Sequence, residues 1–233
     1  MNQSIELISN LNKKCEGLTP EEILEVSIRK FGNQITYICS FGTESAIILH
    51  MISKIDKKFP IYLLNTRFLF PETIDYKNKL LNKFSLTNCL DIFPEELLVE
   101  QEDPKNILWK KNTDRCCEIR KVKPLDNILK NYSSWISGRK SYHQGERIDL
   151  KPFELLNEKI VVNPLINIKK EEADNYFEAN HLPKHPLLRE GYFSIGCTHC
   201  TFKTSDKKNV RSGRWKNKIK TECGIHLSRK IKT

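Results

Sequence analysis

The sequence predicts an α/β fold, a mostly parallel sheet flanked by helices, with a flexible basic C-terminal segment. Three observations predict it. Short β-branched and aromatic runs alternate with helix-length segments that carry cap signals. The 233 residues suit one α/β unit with an appendage, at about 150 residues per domain. Regular patterning fades after Leu182, where Pro, Gly, Cys and basic residues gather. Residues 1–200 therefore read as the α/β unit and 201–233 as a mobile segment.

Each element has its own signal. Thr19 caps the first helix, Pro20 enters its first turn and Glu22 closes a capping box. That helix runs to about Lys30 and ends at Gly32-Asn33. Ile35 to Cys39 reads as a strand, Ser40 to Ser45 as a polar loop, and Ala46 to Ile52 as a buried helix. Ile61 to Leu64 is a second strand. Pro71-Glu72 opens a helix to about Phe84, and Cys89 to Phe93 is a third strand. Glu95 to Arg115 reads largely as loop, and Cys117 to Leu129 as helix. Ser134 to Ser137, ended by Gly138, and Lys159 to Val162 are further strands. Lys169 to Asn180 is a helix, with Leu165, Ile168, Ala173, Tyr176 and Phe177 toward the core. Such alternation gives a parallel sheet covered on both faces.

Composition narrows the function classes. Hydrophobic residues make 39% and charged residues 29%, which excludes a disordered chain. Nine Gly and ten Pro exclude a collagen-like one. No apolar run reaches the ~20 residues of a membrane span, and Met1 to Asn12 lacks the pattern of a signal peptide. The expected compartment is the cytoplasm, where structural disulfides are rare, so eight cysteines call for metal or catalytic roles for some of them. Lys+Arg 39 against Asp+Glu 29 gives +10, which favours an anionic partner or reflects solvated lysines. The basic residues concentrate in Lys203, Lys207, Lys208, Arg211, Arg214, Lys216, Lys218, Lys220, Arg229, Lys230 and Lys232.

Three segments carry chemistry. Ser40-Phe41-Gly42-Thr43-Glu44-Ser45 joins a strand to a helix, where backbone N–H groups can hold an anion. It lacks the Gly-Lys-Ser/Thr ending of a Walker loop, and an ordinary turn reads the same way. Cys116-Cys117 and Cys197-x-x-Cys200 supply four thiols, suited to zinc, an iron–sulfur cluster or a redox dithiol. Adjacent cysteines are unusual for zinc but can reach different irons of a cluster, which tilts the reading toward iron–sulfur. Cys223 stands among Lys216, Lys218, Lys220 and His226, a basic setting that favours a thiolate nucleophile. An inert tail cysteine is the plainer reading. Cys15, Cys39 and Cys89 stand alone, the last two as small core residues on strands.

Together these segments resemble the assimilatory adenylyl-sulfate (APS) and phosphoadenylyl-sulfate (PAPS) reductases from about Ile35 to His226. The resemblance rests on Ser40 to Ser45, Leu69-Phe70-Pro71-Glu72-Thr73, Cys116 to Leu125, Trp135-Ile136-Ser137-Gly138-Arg139-Lys140 and Asn163-Pro164-Leu165. It continues through Gly191 to Cys200 and Arg211-Ser212-Gly213-Arg214-Trp215 to Lys220-Thr221-Glu222-Cys223-Gly224-Ile225-His226, the most specific signature. It implies an adenine nucleotide α-hydrolase-like, Rossmann-type fold. It also implies a [4Fe–4S] cluster on Cys116, Cys117, Cys197 and Cys200, the mark of the branch that favours APS. Cys223 matches the nucleophile that takes the sulfuryl group and expels AMP, after which thioredoxin or glutathione/glutaredoxin releases sulfite. Ser40, Gly42, Lys121, Gly138, Arg147, Arg211 and Arg214 match substrate-binding positions. Neither a nucleic acid nor a membrane is an expected partner, and a homo-oligomer stays open.

Two departures touch the nucleotide contacts. Many relatives carry Asp-Thr-Gly where this chain has Asn65-Thr66-Arg67. Many have two arginines and an acid where it has Arg139-Lys140-Ser141-Tyr142. Three other readings compete: PAPS reduction, an adenylating tRNA sulfurtransferase, and a zinc-stabilised nucleic-acid-binding protein. The second wants a Ser-Gly-Gly-x-Asp-Ser loop, and the third leaves the Cys223 segment unexplained.

Overall fold

A computed structural model describes residues 2–143, 145–206, 209–216 and 218–228. Lys207, Lys208, Arg229, Lys230 and Lys232 of the basic segment lie outside the described residues. The chain opens with helices α1 (Asn2–Lys14) and α2 (Pro20–Phe31). The expected capping box is formed: the Thr19 hydroxyl accepts from Glu22 N, and the Glu22 carboxylate accepts from Thr19 N. Alternation follows, through β1 (Ile35–Ile38), α3 (Ser45–Ile55), β2 (Ile61–Leu64), α4 (Pro71–Phe84) and β3 (Cys89–Ile92).

The stretch Glu95 to Arg115, expected largely as loop, instead folds into α5 (Glu96–Glu102), α6 (Leu108–Lys111) and α7 (Thr113–Cys117). These helices are too short to show a periodic face, so tertiary contacts make them. The Asp103 carboxylate caps the turn by accepting from Ile107 N at 2.7 Å and Leu108 N at 2.8 Å. It also pairs with buried Arg120 at 2.8 Å. The expected helix Cys117 to Leu129 is present, but its first part is a π turn (Glu118–Val122) leading into α8 (Lys123–Leu129). A π turn adds one residue per turn and re-aims the side chains that follow, a device frequent at functional sites.

Then come β4 (Ser134–Ile136), β5 (Phe153–Leu156), β6 (Lys159–Val162) and α9 (Lys170–Ala179). The β5–β6 hairpin turns at Asn157 and Glu158, which both have positive φ. Glu rarely takes that conformation, so the turn carries no Asn-Gly signal. Asn12 of α1 covers the β5 edge, bonding Phe153 N and O at 2.9 Å each.

The sheet order is β3-β2-β1-β4-β6-β5, parallel except for the antiparallel β5–β6 pair. From β1 the chain winds outward to β3, then crosses back to lay β4 on the other side of β1. That reversal opens a crevice at the carboxyl ends of β1 and β4. Fully buried Leu24, Ile35, Ile47, Ile48 and Leu49 pack one face of the sheet. Leu125, Ile128, Leu129, Trp135 and Val161 pack the other. After α9, the described residues form only short 3-10 turns and two isolated bridges, Leu69 to Cys197 and Thr201 to Arg214. No helix among the described residues is long and apolar enough to cross a membrane.

Candidate active site

The crevice is a cleft enclosing about 1130 Å³, part of it open to solvent. Ser40 and Gly42 reach it from the β1–α3 loop, and Gly138 from the end of β4. Arg147, Lys121, Arg211, Arg214 and Cys223 line it as well. All eight sequence-selected residues outside the cysteine pairs thus meet in one place. Helix α3 points its N-terminus into the cleft with no side chain capping it, which leaves backbone N–H groups for an anion.

The loops are shaped for this approach. Phe41 is wholly buried in a left-handed conformation, φ 48°, which anchors the β1–α3 loop from below. A Cβ on Gly138 would meet its nearest neighbours at 3.7 and 3.9 Å, ordinary contact, so internal packing does not demand glycine there. Gly196 differs. A Cβ there would lie 2.3 Å from Arg214 Nη2, so the guanidinium rests directly on the Gly196 backbone. Trp215 backs the same guanidinium, 4.4 Å from its ring centre.

Four groups that sequence reasoning missed complete the cleft. Partly buried Glu44 accepts from Lys140 at 2.8 Å, from Tyr142, and lies 3.2 Å from His143. Burial would raise its carboxyl, yet Lys140 and His143 hold it well below the usual range. Burial pushes His143 down to about 4, against the pull of Glu44, so the imidazole is neutral at neutral pH. Arg139 pairs with Glu154 at 2.7 Å. Glu222 binds Arg147 and Arg211. Its only sequence signal was its place beside Cys223. Six cations and two carboxylates therefore line the cleft. Lys121 and Arg214 make no carboxylate pair among the described residues.

Behind the cleft lies a smaller cavity lined by Cys116, Cys117, Cys197 and Cys200. Lys121 lines both spaces. Both Lys121 and its neighbour Arg120 lie in the π turn, and Arg120 lines the cavity while pairing with Asp103. Burial alone would lower the Lys121 ammonium, but the nearby sulfurs of Cys197, Cys223 and Cys117 raise it above its ordinary value. Burial pushes Cys116 up to about 11 and raises Cys200. The Thr66 hydroxyl lies 3.2 Å from Cys197 Sγ. The Asn65-Thr66-Arg67 departure thus faces this cavity and β3: Asn65 bonds Asp91, and Arg67 pairs with Glu96 at 3.1 Å.

The donor set fits a soft, thiolate-held metal centre. Among the described residues no carboxylate lines the cavity, and Arg120 and Lys121 offset negative charge on its wall. Among the described residues, however, no three His, Cys, Asp or Glu side chains draw together as a metal-holding group. A hydrogen bond from the Cys117 thiol, opposed by burial and helped by Lys121, holds Cys223 well below the usual thiol range. Of the other cysteines, Cys39 is buried at the cleft wall, Cys15 is buried in the core and Cys89 is half-buried against it.

Residues 34–203 match the phosphoadenosine phosphosulfate reductase domain. A protein of Mesorhizobium japonicum named adenosine 5'-phosphosulfate reductase is 42% identical over 212 residues, covering 91% of this chain and 84% of that protein. The crystal structure of a phosphoadenylyl-sulfate reductase from Candida auris, a phosphate complex, superposes with TM-score 0.70 and 28% identity. It covers 83% of this chain and 95% of its own. The FMN adenylyltransferase of Candida glabrata, at 13% identity and TM-score 0.57, covers 97% of this chain and 84% of its own. It shares the fold, which is adenine nucleotide α-hydrolase-like.

Proposed function

The chain belongs to the phosphoadenosine phosphosulfate reductase family, and on that premise we propose that it reduces adenosine 5'-phosphosulfate to sulfite and AMP in sulfate assimilation. One observation carries the reading. Cys223 lines the cationic cleft and packs against the cluster of Cys197, Cys200 and Trp215 behind it, with Lys121 on the wall of both the cleft and the four-cysteine cavity. The nucleotide would enter over Ser40, Gly42 and Gly138, its anionic groups facing the α3 N-terminus and Lys121, Arg147, Arg211 and Arg214.

The Cys223 thiolate attacks the sulfuryl sulfur. An S–S bond forms, the S–O bond breaks, and AMP leaves with the electron pair. Cations already in place stabilise charge arriving on the leaving phosphate. A dithiol such as thioredoxin, or glutathione with glutaredoxin, then frees Cys223. It becomes a disulfide as sulfite departs, and so supplies both electrons. Movement of Cys223 out of the cleft would present it to that reductant. The expected setting is the cytoplasm. Cys116, Cys117, Cys197 and Cys200 are the residues that would hold a [4Fe–4S] cluster. Bound there, it would organise the loops and the field around Lys121 and Cys223.

The test is anaerobic incubation with APS, and in parallel with PAPS, without thiol, followed by intact mass and peptide mapping. The expected result is a sulfonate adduct on Cys223 with APS. An adduct with PAPS alone would replace the substrate. An adduct with neither would remove the reaction.

A further inference from the structure

Cys223 follows a carboxylate with an unusual load. Glu222 is 6% exposed, and its two oxygens meet four donors. Oε2 accepts from Arg147 Nε at 2.7 Å. Oε1 accepts from Arg147 Nη2 at 3.0 Å, from Arg211 Nη2 at 3.1 Å and from the backbone N of Cys223 at 2.8 Å. Arg211 also donates to Thr221 O at 2.9 Å. One side chain thus ties together three pieces of chain: the turn at Arg147, the loop at Arg211 and the strand of residues bearing Cys223.

Stability alone is a poor reason for this cluster. A buried ion pair repays its desolvation only when its geometry is excellent, and apolar residues often do as well. The position says more. The carboxylate lines the cleft, touches two cleft arginines and fixes the amide of the residue beside it. An anion entering the cleft meets arginines whose charge Glu222 already offsets.

We propose that Glu222 is a positioning residue with two separable effects: its charge restrains anion affinity through Arg147 and Arg211, and its Oε1 fixes the Cys223 backbone for attack. The proposal rests on the sulfonucleotide-reductase reading. Two substitutions separate the effects. Glu222→Gln removes the charge but keeps an oxygen that can accept from the Cys223 amide. Glu222→Asp keeps the charge but withdraws the acceptor by one methylene.

The experiment uses the full chain, purified anaerobically. Titration calorimetry with AMP reads anion affinity, and quenched intact mass after saturating APS, without thiol, reads the rate of Cys223 sulfonation. In Glu222→Gln, AMP should bind about tenfold tighter, and sulfonation should slow less than in Glu222→Asp. In Glu222→Asp, AMP affinity should stay within about twofold while sulfonation slows at least about tenfold. A merely structural carboxylate cannot tighten AMP on removal. Parallel losses of both readouts in the two variants, or no change in either, would overturn the proposal. Should Glu222→Gln fail to fold, Glu222→Asp decides alone by whether rate and affinity separate. A parent protein that binds AMP but forms no adduct would sink the reaction reading. The Glu222→Gln affinity would still judge the hold on the arginines.

Discussion

The sheet and the layer that closes over it are ordered by different forces. Against the sheet, Ile47, Ile48 and Leu49 of α3 are wholly buried, and a large contiguous apolar cluster runs from α1 to α9. In the closing layer, from His185 to Ser228, the apolar cluster is Cys197, Cys200 and Trp215, with Phe68 and Cys223 packed against it. Leu187 and Ile195 are also buried, and the described remainder is tied by ion pairs, bridges and close backbone approaches. A large core spreads its stability over many contacts, so no single polar change decides its shape. A layer held by a few polar contacts concentrates its order in groups that also face the cleft. Chemistry and local order are therefore coupled in one region and independent in the other.

The hardest way to break that contrast is to remove a cysteine from the layer. With the proposed cluster on the four cysteines, Cys197→Ser should lose iron and sulfite formation together, and should speed protease cleavage within 183–228. The far-UV circular dichroism of the sheet should be unchanged. Full iron content in that variant would take Cys197 out of the ligand set. The matching lesion in the core is Ile47→Ala. Its cavity should cost about 2–5 kcal/mol of global stability in denaturant melts. Below the transition, Cys223 sulfonation should be unaltered, since Ile47 is wholly buried and does not line the cleft. A parallel fall in sulfonation would show that core packing sets the site after all.

The same division explains what the sequence made legible. Periodicity and cap residues located β1, β2, β3, β4, β6 and the helices α2, α3, α4 and α9, because each is ordered by its own apolar pattern. The strand β5 was hidden. Its turn uses Glu158 at positive φ, and its edge is completed by Asn12, 141 residues away. Helices α5 to α7 were hidden because Asp103 and Arg120, not periodicity, hold them. In the site, the family resemblance pointed to the eight cleft residues, seven of them inside the motifs that carry it and Arg147 outside them. Glu44, Arg139, His143 and Glu222 were missed because their meaning lies in partners far along the chain, such as Arg147 for Glu222.

His185 sits where the two regions meet, between Thr73 of α4 and the start of the layer. Its Nε2 lies 3.2 Å from the Thr73 hydroxyl, and its Nδ1 accepts from Leu187 N at 3.3 Å. Burial lowers its pKa to about 4, below an ordinary value near 6.5. As pH falls below about 6.5, the unfolded chain takes up a proton that the folded one refuses. The stability this histidine contributes is therefore full above that pH and is lost toward pH 4. His185→Gln keeps the hydrogen-bonding shape without the titration. It should flatten the decline in unfolding free energy between those limits by about 2 kcal/mol. An unchanged slope would mean that the histidine is protonated in place.

The smallest change sharpens the comparison furthest. Gly196→Ala adds one methyl where Arg214 Nη2 would lie 2.3 Å away. The guanidinium must move, and with it a cation that faces the cleft without a carboxylate partner among the described residues. AMP affinity should fall by about three- to tenfold, or about 1 kcal/mol, as read by calorimetry. The melting temperature should barely shift, because Arg214 is partly exposed and the sheet does not depend on it. Unaltered affinity would show that Arg214 makes no contact with the nucleotide. In the layer, then, adding a methyl should alter binding and spare stability. In the core, removing methyls at Ile47 should do the reverse.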